Sequence, residues 1–345
     1  MNLISIFSFK RLRLIIALSS GLLLLAETAC WLFGRPIDNG FPSGFFVTRP
    51  EVGYTSAPGW NAQITRIRSH NVSINSEGFR DVEWTKGSNE RGILMVGSTA
   101  LFGLGVEKNE RLSERIASYL GTTVHNAGMY GYGSPQALWA LREFCDRGDH
   151  KMALYVHEYK LTRDDFVIAP ARTVVDGTLI NLPNVGGSDA TQSQSAFIVE
   201  RLQLLALRAF LAYHDLSPRK LYENWRGLDS FDEQYFLNRY ATTSNEHSFS
   251  ETNIKKTAEN IEKMQEVARR CGVKFALVLL PGPFENRFRQ DEPSTRKLLT
   301  ILNGVAIIDA RHVLPIDAKI LIPGLDYFNP AALDILAQYI SASIK

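Results

Sequence analysis

The chain has 345 residues, of which 45% are hydrophobic and 21% charged, a composition that favours a packed globular body and excludes a disordered or collagen-like chain. Its formal net charge is +2, and Lys10, Arg11 and Arg13 supply three positive charges before any acidic residue occurs, so the rest of the chain is close to neutral. Proteins that bind nucleic acid normally need a basic surface to displace counterions, so this charge balance argues against that class.

Residues 14–34 are 21 consecutive positions without a basic residue, directly behind the Lys/Arg cluster. A helix of that length, at about 1.5 Å per residue, just spans a hydrocarbon core of roughly 30 Å. A cleaved signal peptide is the alternative, but Glu27 stands where cleavage after Ala29 needs a small residue, and it equally opposes lipidation of Cys30. We therefore predict that residues 1–34 form a retained signal anchor, a single-pass helix in the inner membrane with the body on the periplasmic side.

From residue 91 onward, short apolar runs alternate with amphipathic segments. This alternation predicts a doubly wound parallel α/β sheet with helices on both faces, a three-layer architecture of the flavodoxin-like kind. Ser134 and Asn329, each followed by a proline, are the expected N-caps of two helices. The predicted strands lie at 93–96, from 124, at 152–156, 273–280 and 305–308, and the predicted helices at 112–120, from 134, at about 252–271, at 293–303 and from 330.

Two further segments complete the predicted organisation. Residues 35–90, with Pro/Gly-rich turns and a loosely alternating stretch, are expected to be a lead-in segment packed on the main domain. Residues 163–250 are too long for a loop and are predicted to be an inserted cap between the two parts of the α/β domain, 91–162 and 251–345. An apolar helix at 197–213 is either the core of that cap or a surface that rests against membrane or a partner.

Cys145 and Cys271 are the cysteines of the body, and each falls on an apolar position in or at the end of a predicted helix. The expectation for both is a buried thiol that behaves as a small hydrophobic side chain. A disulfide between them is compatible with a location outside the cytoplasm but does not follow from the sequence. The seven histidines and three cysteines lack the spacing of a zinc site, so no metal is predicted.

Ligands of a doubly wound sheet bind at the carboxyl ends of its strands, which directs attention to the glycine-containing turn at 97–105 after the first strand. This turn lacks the Lys-Ser/Thr pair of a P-loop and the third glycine of a dinucleotide fingerprint. Neither a nucleotide nor any other cofactor is therefore predicted. Gly131, residues 157–160 and the turn before the last helix are expected at the same edge.

Four segments resemble, in chain order, blocks of the SGNH (GDSL) hydrolases in their bacterial, membrane-anchored branch. Residues 71–80 resemble the "IN-x-x-GFR" lead-in of that branch. Residues 93–107 look like its first block, commonly GDSxTxGxGV, and residues 126–133 are similar to its NAGxxGYG block. Residues 327–331 resemble the closing HxNPxG segment. The resemblance implies an SGNH-like α/β fold.

The resemblance also implies an active centre, of which this chain keeps only part. The family uses a serine nucleophile, a histidine base oriented by an aspartate, and an oxyanion hole of backbone N–H groups with an asparagine side chain. Here the nucleophile position is Thr99, the aspartate before it is replaced by Ser98, and Gly131 matches the oxyanion glycine.

The remaining family positions are replaced as well. The asparagine of the third block falls near Lys160, while the closing histidine and aspartate positions hold Tyr327 and Gly324, with Asp326 close by. A threonine can attack an ester only when a base takes its proton, and a tyrosine, with an ordinary pKa of about 10, is a poor base at neutral pH.

These replacements leave several interpretations open. The first is a catalytically silent SGNH-like protein that binds or scaffolds at the outer face of the membrane, serving an assembly that, as the resemblance implies, modifies cell-surface polysaccharide with acyl groups. The second is a working esterase or acyltransferase that uses Thr99 or Ser98, with His125 or His157 as a substitute base. The third is a structural subunit of an unrelated membrane complex.

Tyrosines are expected around the old pocket. Tyr130, Tyr132, Tyr159 and Tyr327 either stack on the sugar rings of a polysaccharide or fill the space that a substrate would take. The partners predicted from sequence are thus the membrane, other membrane proteins and a polysaccharide.

Overall fold

The structure is a computed structural model, and it divides the chain into two units, residues 1–37 with 188–228 and residues 38–187 with 229–345. In the first unit only Leu18 and Gly21, both helical, are described, so the predicted anchor and the helix at 197–213 lie outside the described residues. No helix within the described part of the chain is both long and apolar enough to cross a membrane. In the second unit the described residues are 41–42, 44–64, 68–84, 91–147, 150–158, 172–175, 177–181, 251–282, 293–315, 322 and 328–345.

The lead-in segment contains two antiparallel hairpins. The first joins β1 (Phe46–Arg49) to β2 (Gly53–Ser56), and the second joins β3 (Asn61–Ile64) to β4 (His70–Ser73). Phe41, Phe45, Phe46 and Tyr54 are almost fully buried, and their rings belong to the same hydrophobic cluster as one face of the central sheet.

The central sheet has five parallel strands among the described residues. Their order is β11-β10-β7-β5-β6, which is the flavodoxin-like order, and β8 and β9 form a separate antiparallel hairpin. The parallel α/β sheet predicted from the alternating pattern is therefore confirmed. The strands are β5 (Gly92–Gly97), β6 (Val124–Gly128), β7 (His150–His157), β8 (Arg172–Val175), β9 (Thr178–Asn181), β10 (Lys274–Leu279) and β11 (Ile307–Asp309).

Helices cover both faces of the sheet. The side chains of its central strands point alternately to the two faces and are buried on each, so both faces need a covering layer. Helices α3, α4 and α5 share one cluster with the lead-in segment, and α2 packs against α6 on the other face. The helices are α1 (Thr99–Phe102), α2 (Leu112–Leu120), α3 (Ser134–Phe144), α4 (Glu251–Arg270), α5 (Pro293–Ile301) and α6 (Pro330–Ile344).

The ends of the helices follow local sequence signals, with one exception. The side chain of Asn329 accepts a hydrogen bond from the Ala332 N–H at 2.9 Å, as expected of an N-cap before a proline. In α3, however, the N-cap is Gly133 and not Ser134. The Gly133 carbonyl already accepts from the Ala137 N–H at 3.0 Å, so the helix begins one residue earlier than predicted.

A buried ionic cluster ties the lead-in segment to the sheet. The side chains of Asp81 and Arg111 are each only 1% exposed, with 3.6 Å between Asp81 Oδ1 and Arg111 Nη2. Arg111 also bonds the Arg80 carbonyl and the Glu114 carboxylate. Asp81 Oδ2 accepts from the Asn126 N–H of β6 at 2.8 Å and from the Trp84 indole at 2.7 Å. The cluster therefore joins β6, α2 and the lead-in segment.

Cys145 and Cys271 form a disulfide, with Cα atoms 5.9 Å apart and a sequence separation of 126. Of the two possibilities that the sequence left open, the structure shows the disulfide and not a pair of free thiols. The 3-10 turn after α3 and the end of α4 lie side by side on one face of the sheet, which brings the two cysteines together.

The described part of the predicted cap is the hairpin of β8 and β9. It packs on the lead-in segment, where the Gly177 carbonyl accepts hydrogen bonds from the N–H groups of Gly44 at 3.0 Å and Phe46 at 3.1 Å. A Cβ on Gly177 would collide with the Gly44 backbone, so only glycine permits this approach. The insertion and the lead-in segment are thus joined by backbone hydrogen bonds.

Candidate functional site

The site lies at the carboxyl edge of the sheet, between β5 and β7. In the flavodoxin-like order this is the point from which successive connections run to opposite sides, and ligands of such sheets bind in the crevice that results. Ser98 and Thr99 follow β5, and Glu158 follows β7. Gly97 is required at the end of β5, because a Cβ there would lie 2.8 Å from the Val156 carbonyl oxygen.

Thr99 is the first residue of α1 and is 8% exposed. Its Oγ1 accepts a hydrogen bond from the Gly131 N–H at 3.2 Å, and it lies 3.4 Å from Ser98 Oγ. The structure therefore brings together three of the residues that the sequence selected. Among the described residues, these two groups are the hydrogen-bond partners of the Thr99 hydroxyl.

Gly131 is held in place by the loop that follows β6. Its φ of 73° is left-handed, which glycine adopts without strain. The loop is tied to β5 by a bond of 3.2 Å from the Met129 N–H to the Gly97 carbonyl. The Asn126 side chain donates to the Leu101 carbonyl at 2.8 Å and to Ser113 Oγ at 2.9 Å, which fixes the end of β6, where the loop begins, to α1 and α2.

An arginine of the inserted hairpin stands over this loop. Arg172 Nη1 lies 3.4 Å from the Tyr54 hydroxyl, and its guanidinium is 5.2 Å from the centre of the half-buried Tyr130 ring. The Tyr54 hydroxyl donates to the Tyr130 carbonyl at 2.9 Å. Burial raises the pKa of Tyr54 to about 12, although Arg172 opposes the shift, so this hydroxyl stays protonated at neutral pH. A Cβ on Gly131 would collide with the guanidinium.

Tyr132, which the sequence suggested as a binding residue, lies in the core. It is fully buried, its hydroxyl donates to the Tyr54 carbonyl at 2.7 Å, and burial raises its pKa. The ring fills the core beneath the loop, which is the second of the two roles considered for the tyrosines. Tyr130 is half-buried and contacts Phe41, with ring centres 4.8 Å apart.

Glu158 is a site residue that the sequence analysis did not single out. Its Oε1 accepts a hydrogen bond of 2.6 Å from the N–H of Ala100, the residue after Thr99. Ser98, at the N-cap position of α1, makes no side-chain capping bond, so this carboxylate performs that role from the neighbouring strand. Its position at the end of β7 was the available signal, but the family resemblance pointed to Lys160 instead.

The two histidines considered as substitute bases have other partners. His125 is the second residue of β6 and lies at the amino edge of the sheet, not at the edge of the site as expected, because all five strands run parallel. Its Nδ1 is 2.8 Å from His150 Nε2. His157 is at the correct edge, but it is buried and its Nδ1 lies 3.3 Å from the Tyr155 hydroxyl.

We expect His157 to make stability depend on pH. Desolvation lowers its pKa from 6.5 to about 4, and Nε2 has no hydrogen-bond partner among the described residues. The folded state favours the neutral ring, so its contribution is complete above pH 6.5 and is lost as the pH falls from 6.5 toward 4. The full shift corresponds to about 3 kcal/mol. Urea unfolding of native protein and of His157→Gln at several pH values measures it.

The variant should lose less stability than the native protein between pH 7 and pH 4.5. His312→Gln, at an exposed position, serves as the control and should follow the native curve. An identical fall in stability for native protein and His157→Gln would show that the pKa of His157 is the same in the folded and unfolded states.

Other predicted positions lie outside the described residues. These are Tyr159, Lys160, Gly324, Asp326 and Tyr327. Among the residues that are described, no group of three or more histidine, cysteine or carboxylate side chains is arranged to hold a metal ion.

The described residues of the site supply a hydroxyl, a backbone N–H donor and a carboxylate, but they do not supply an imidazole in contact with that hydroxyl. Ester cleavage by a threonine needs a base that accepts the hydroxyl proton and free donors for the developing oxyanion. Here the Gly131 N–H is directed at the Thr99 hydroxyl oxygen itself.

No family model matches the sequence, and neither does any curated protein at a significant level. The structure is similar to that of a protein from Desulfitobacterium hafniense assigned to the G-D-S-L family of lipolytic proteins, with 12% identity over 73% of this chain and 99% of that chain and a TM-score of 0.38.

Two carbohydrate esterases are also similar. A carbohydrate esterase family 2 enzyme with a carbohydrate-binding domain, from Corynascus thermopiles (Myceliophthora fergusii), matches at 9% identity over 76% of this chain and 67% of that chain, with a TM-score of 0.36. An acetyl xylan esterase from the rumen bacterium Butyrivibrio proteoclasticus matches at 8% identity over 76% and 64%, also with a TM-score of 0.36. The five parallel strands of the described residues agree with the α/β fold that the sequence blocks predict.

Proposed function

We propose that this chain is a membrane-anchored, periplasmic SGNH-like protein whose esterase centre is silent, and that it binds or scaffolds within a membrane assembly. An assembly that modifies cell-surface polysaccharide with acyl groups is the setting that the sequence resemblance favours. The anchor is the apolar stretch at 14–34 behind its basic cluster.

The observation that carries the proposal is the contact between Thr99 Oγ1 and the Gly131 N–H. A nucleophilic hydroxyl must donate its proton to a base while its oxygen remains free to attack. Here the oxygen accepts an N–H at 3.2 Å, which lowers its nucleophilicity and engages the donor that an oxyanion would need. The described histidines at the sheet, His125 and His157, make their ring contacts with His150 and Tyr155.

The disulfide supports the proposed compartment. Bonds between cysteines form and persist mainly in oxidising environments, such as the periplasm, and are rare in the cytoplasm of mesophiles. The bond between Cys145 and Cys271 therefore agrees with a body that lies outside the cytoplasm, as the basic cluster before the apolar stretch predicts.

The proposal is tested on full-length protein isolated from membranes in a mild detergent. We expect no hydrolysis of short-chain esters above the buffer rate, together with partner proteins that co-purify in a fixed ratio. A variant that starts at residue 36 should lose those partners, because the proposed anchor places the body in the assembly. Mass spectrometry identifies the partners, and the ester assay runs on the same preparation.

Three outcomes would contradict the proposal. Ester turnover that Thr99→Ala or Ser98→Ala abolishes would establish a working esterase or acyltransferase instead. Partners that stay bound without residues 1–35 would show that recruitment does not depend on the anchor, and partners without any link to acyl or polysaccharide chemistry would favour a structural subunit of an unrelated complex.

A further inference from the structure

We propose that His70 is an acid-sensitive latch, whose neutral ring joins β4 to the turn that follows α1 and whose protonation releases Gly105 of that turn. The turn consists of residues 103–106 and leads away from the helix that begins with Thr99 at the site. The proposal goes beyond the proposed function and does not depend on it, because it concerns how the site is supported and not what the site binds or cleaves.

Both ring nitrogens of His70 are engaged, and the two contacts fix the position of the proton. The ring is fully buried, and Nδ1 lies 2.6 Å from the Arg68 carbonyl oxygen. Since a carbonyl oxygen only accepts hydrogen bonds, Nδ1 carries the proton, and Nε2 of the neutral ring is an acceptor. Nε2 accepts the Gly105 N–H at 3.2 Å. This bond joins the lead-in segment to the turn.

A second side chain of the lead-in segment holds the same turn, but its bonds do not depend on pH. The Arg80 guanidinium donates to the Phe102 carbonyl at 3.3 Å and to the Gly103 carbonyl. It also donates to the Val106 carbonyl at 2.8 Å. A guanidinium keeps its charge at neutral and acidic pH. The turn therefore has one permanent tie and one that needs a neutral imidazole.

The surroundings of the ring favour its neutral form. The charged groups that face His70 are Arg68 and Arg80 of the lead-in segment and Glu107 after the turn. Burial lowers the pKa of His70 from 6.5, and both guanidinium groups add to this shift, whereas the bond to the Arg68 carbonyl and the charge of Glu107 oppose it. The Arg68 guanidinium is also paired with Glu110, with 3.2 Å between Nη1 and Oε2.

Protonation replaces the acceptor of this bond with a second donor. A proton on Nε2 would face the Gly105 N–H, and the new positive charge would be opposed by Arg80. The latch is therefore closed above pH 6.5 and opens as the pH falls below 6.5, because the released ring takes up a proton that the closed ring excludes. Arg80 keeps its bonds, so we expect the release to be confined to the part of the turn around Gly105.

Hydrogen exchange of the full-length protein in a mild detergent tests the latch. Mass spectrometry follows a peptide that covers the turn, and the rates are corrected for the intrinsic pH dependence of exchange. We expect the protection of the Gly105 amide to fall about 10-fold between pH 7.5 and pH 5, since loss of one buried hydrogen bond changes an opening equilibrium by about that factor. A peptide from α4 should keep its protection, which distinguishes local release from general unfolding.

Two substitutions of His70 separate its protonation from other effects of pH. His70→Gln keeps an oxygen that can accept from the Gly105 N–H but cannot become charged, so the amide should be equally protected at both pH values. His70→Ala removes the acceptor, so the amide should exchange readily at both. His157→Gln, which removes a different buried histidine, is the matched control and should keep the native response to pH.

Either of two results would overturn the proposal. The first is equal protection of the Gly105 amide at pH 7.5 and pH 5 in the native protein. The second is a fall in His70→Gln as large as the native one, which would show that another group titrates. If His70→Ala does not fold, the comparison of native protein with His70→Gln decides.

Discussion

Removal of the disulfide should lower the free energy of unfolding of the body by about 4 kcal/mol. The bond joins Cys145 and Cys271 at a sequence separation of 126, and in the chain-entropy model a loop of that length contributes about 5 kcal/mol, with measured losses commonly about 2–5 kcal/mol. The loop also contains β7, the middle strand of the sheet, so the disulfide constrains a segment that forms part of the core. Urea unfolding of native protein and of Cys145→Ala/Cys271→Ala, each followed by fluorescence, measures the difference.

The reduced protein and the double variant should agree. A phosphine reductant should destabilise the native protein by about the same amount and leave Cys145→Ala/Cys271→Ala unchanged. A native protein whose unfolding midpoint is insensitive to complete reduction, verified by thiol titration, would contradict this prediction.

Asp81→Ala should cost about 3–5 kcal/mol, the range for removal of one partner from a buried ion pair. The carboxylate accepts from the Asn126 N–H and the Trp84 indole, and it faces Arg111, whose side chain is 1% exposed. Its loss leaves a buried guanidinium with less compensating charge and a buried N–H without its acceptor. Desolvation raises the pKa of Asp81, and Arg111 opposes that shift.

A matched variant isolates the effect of burial. Glu83→Ala removes a carboxylate of the same segment that is exposed and accepts from the Ser76 N–H at 2.9 Å, and it should cost about 1 kcal/mol or less. The double variant Asp81→Ala/Arg111→Met should be less destabilised than the sum of its single variants, because the charge left behind is then removed as well. Additive losses in this cycle would show that Asp81 and Arg111 are not coupled. Equal losses for Asp81→Ala and Glu83→Ala would show that burial of the Asp81 carboxylate does not increase the loss.

Local patterns in the sequence were sufficient for the elements of the main domain. The apolar run at 93–96 predicted β5, and the glycine after the last apolar residue of α2 marked its end, because Gly121 adopts a φ of 60° that favours glycine. Alternation of such runs with helices then predicted a parallel sheet, and the sheet rule predicted that Thr99 and Gly131 would lie at one edge. The structure places them 3.2 Å apart.

The residues that decide the chemistry of this edge could not be predicted from local patterns in the sequence. Periodicity reports which residues share a face of one element, but it carries no information on which strand ends become neighbours. Glu158 meets Ala100 only because β7 lies beside β5, and Arg172 stands over Gly131 only because the inserted hairpin docks on the lead-in segment. For the same reason the sequence could not pair Cys145 with Cys271. The edge of His125, in contrast, follows from its place at the start of the strand predicted from 124.

Composition, periodicity and short motifs thus establish an α/β sheet with a threonine at the position of a nucleophile, since each of these signals is local to a few turns of chain. The order of the strands in space determines which groups lie beside that threonine and the residue after it. Those contacts join segments that are 32 and 58 residues apart in sequence. Packing of the whole chain, and not any single segment, sets those contacts.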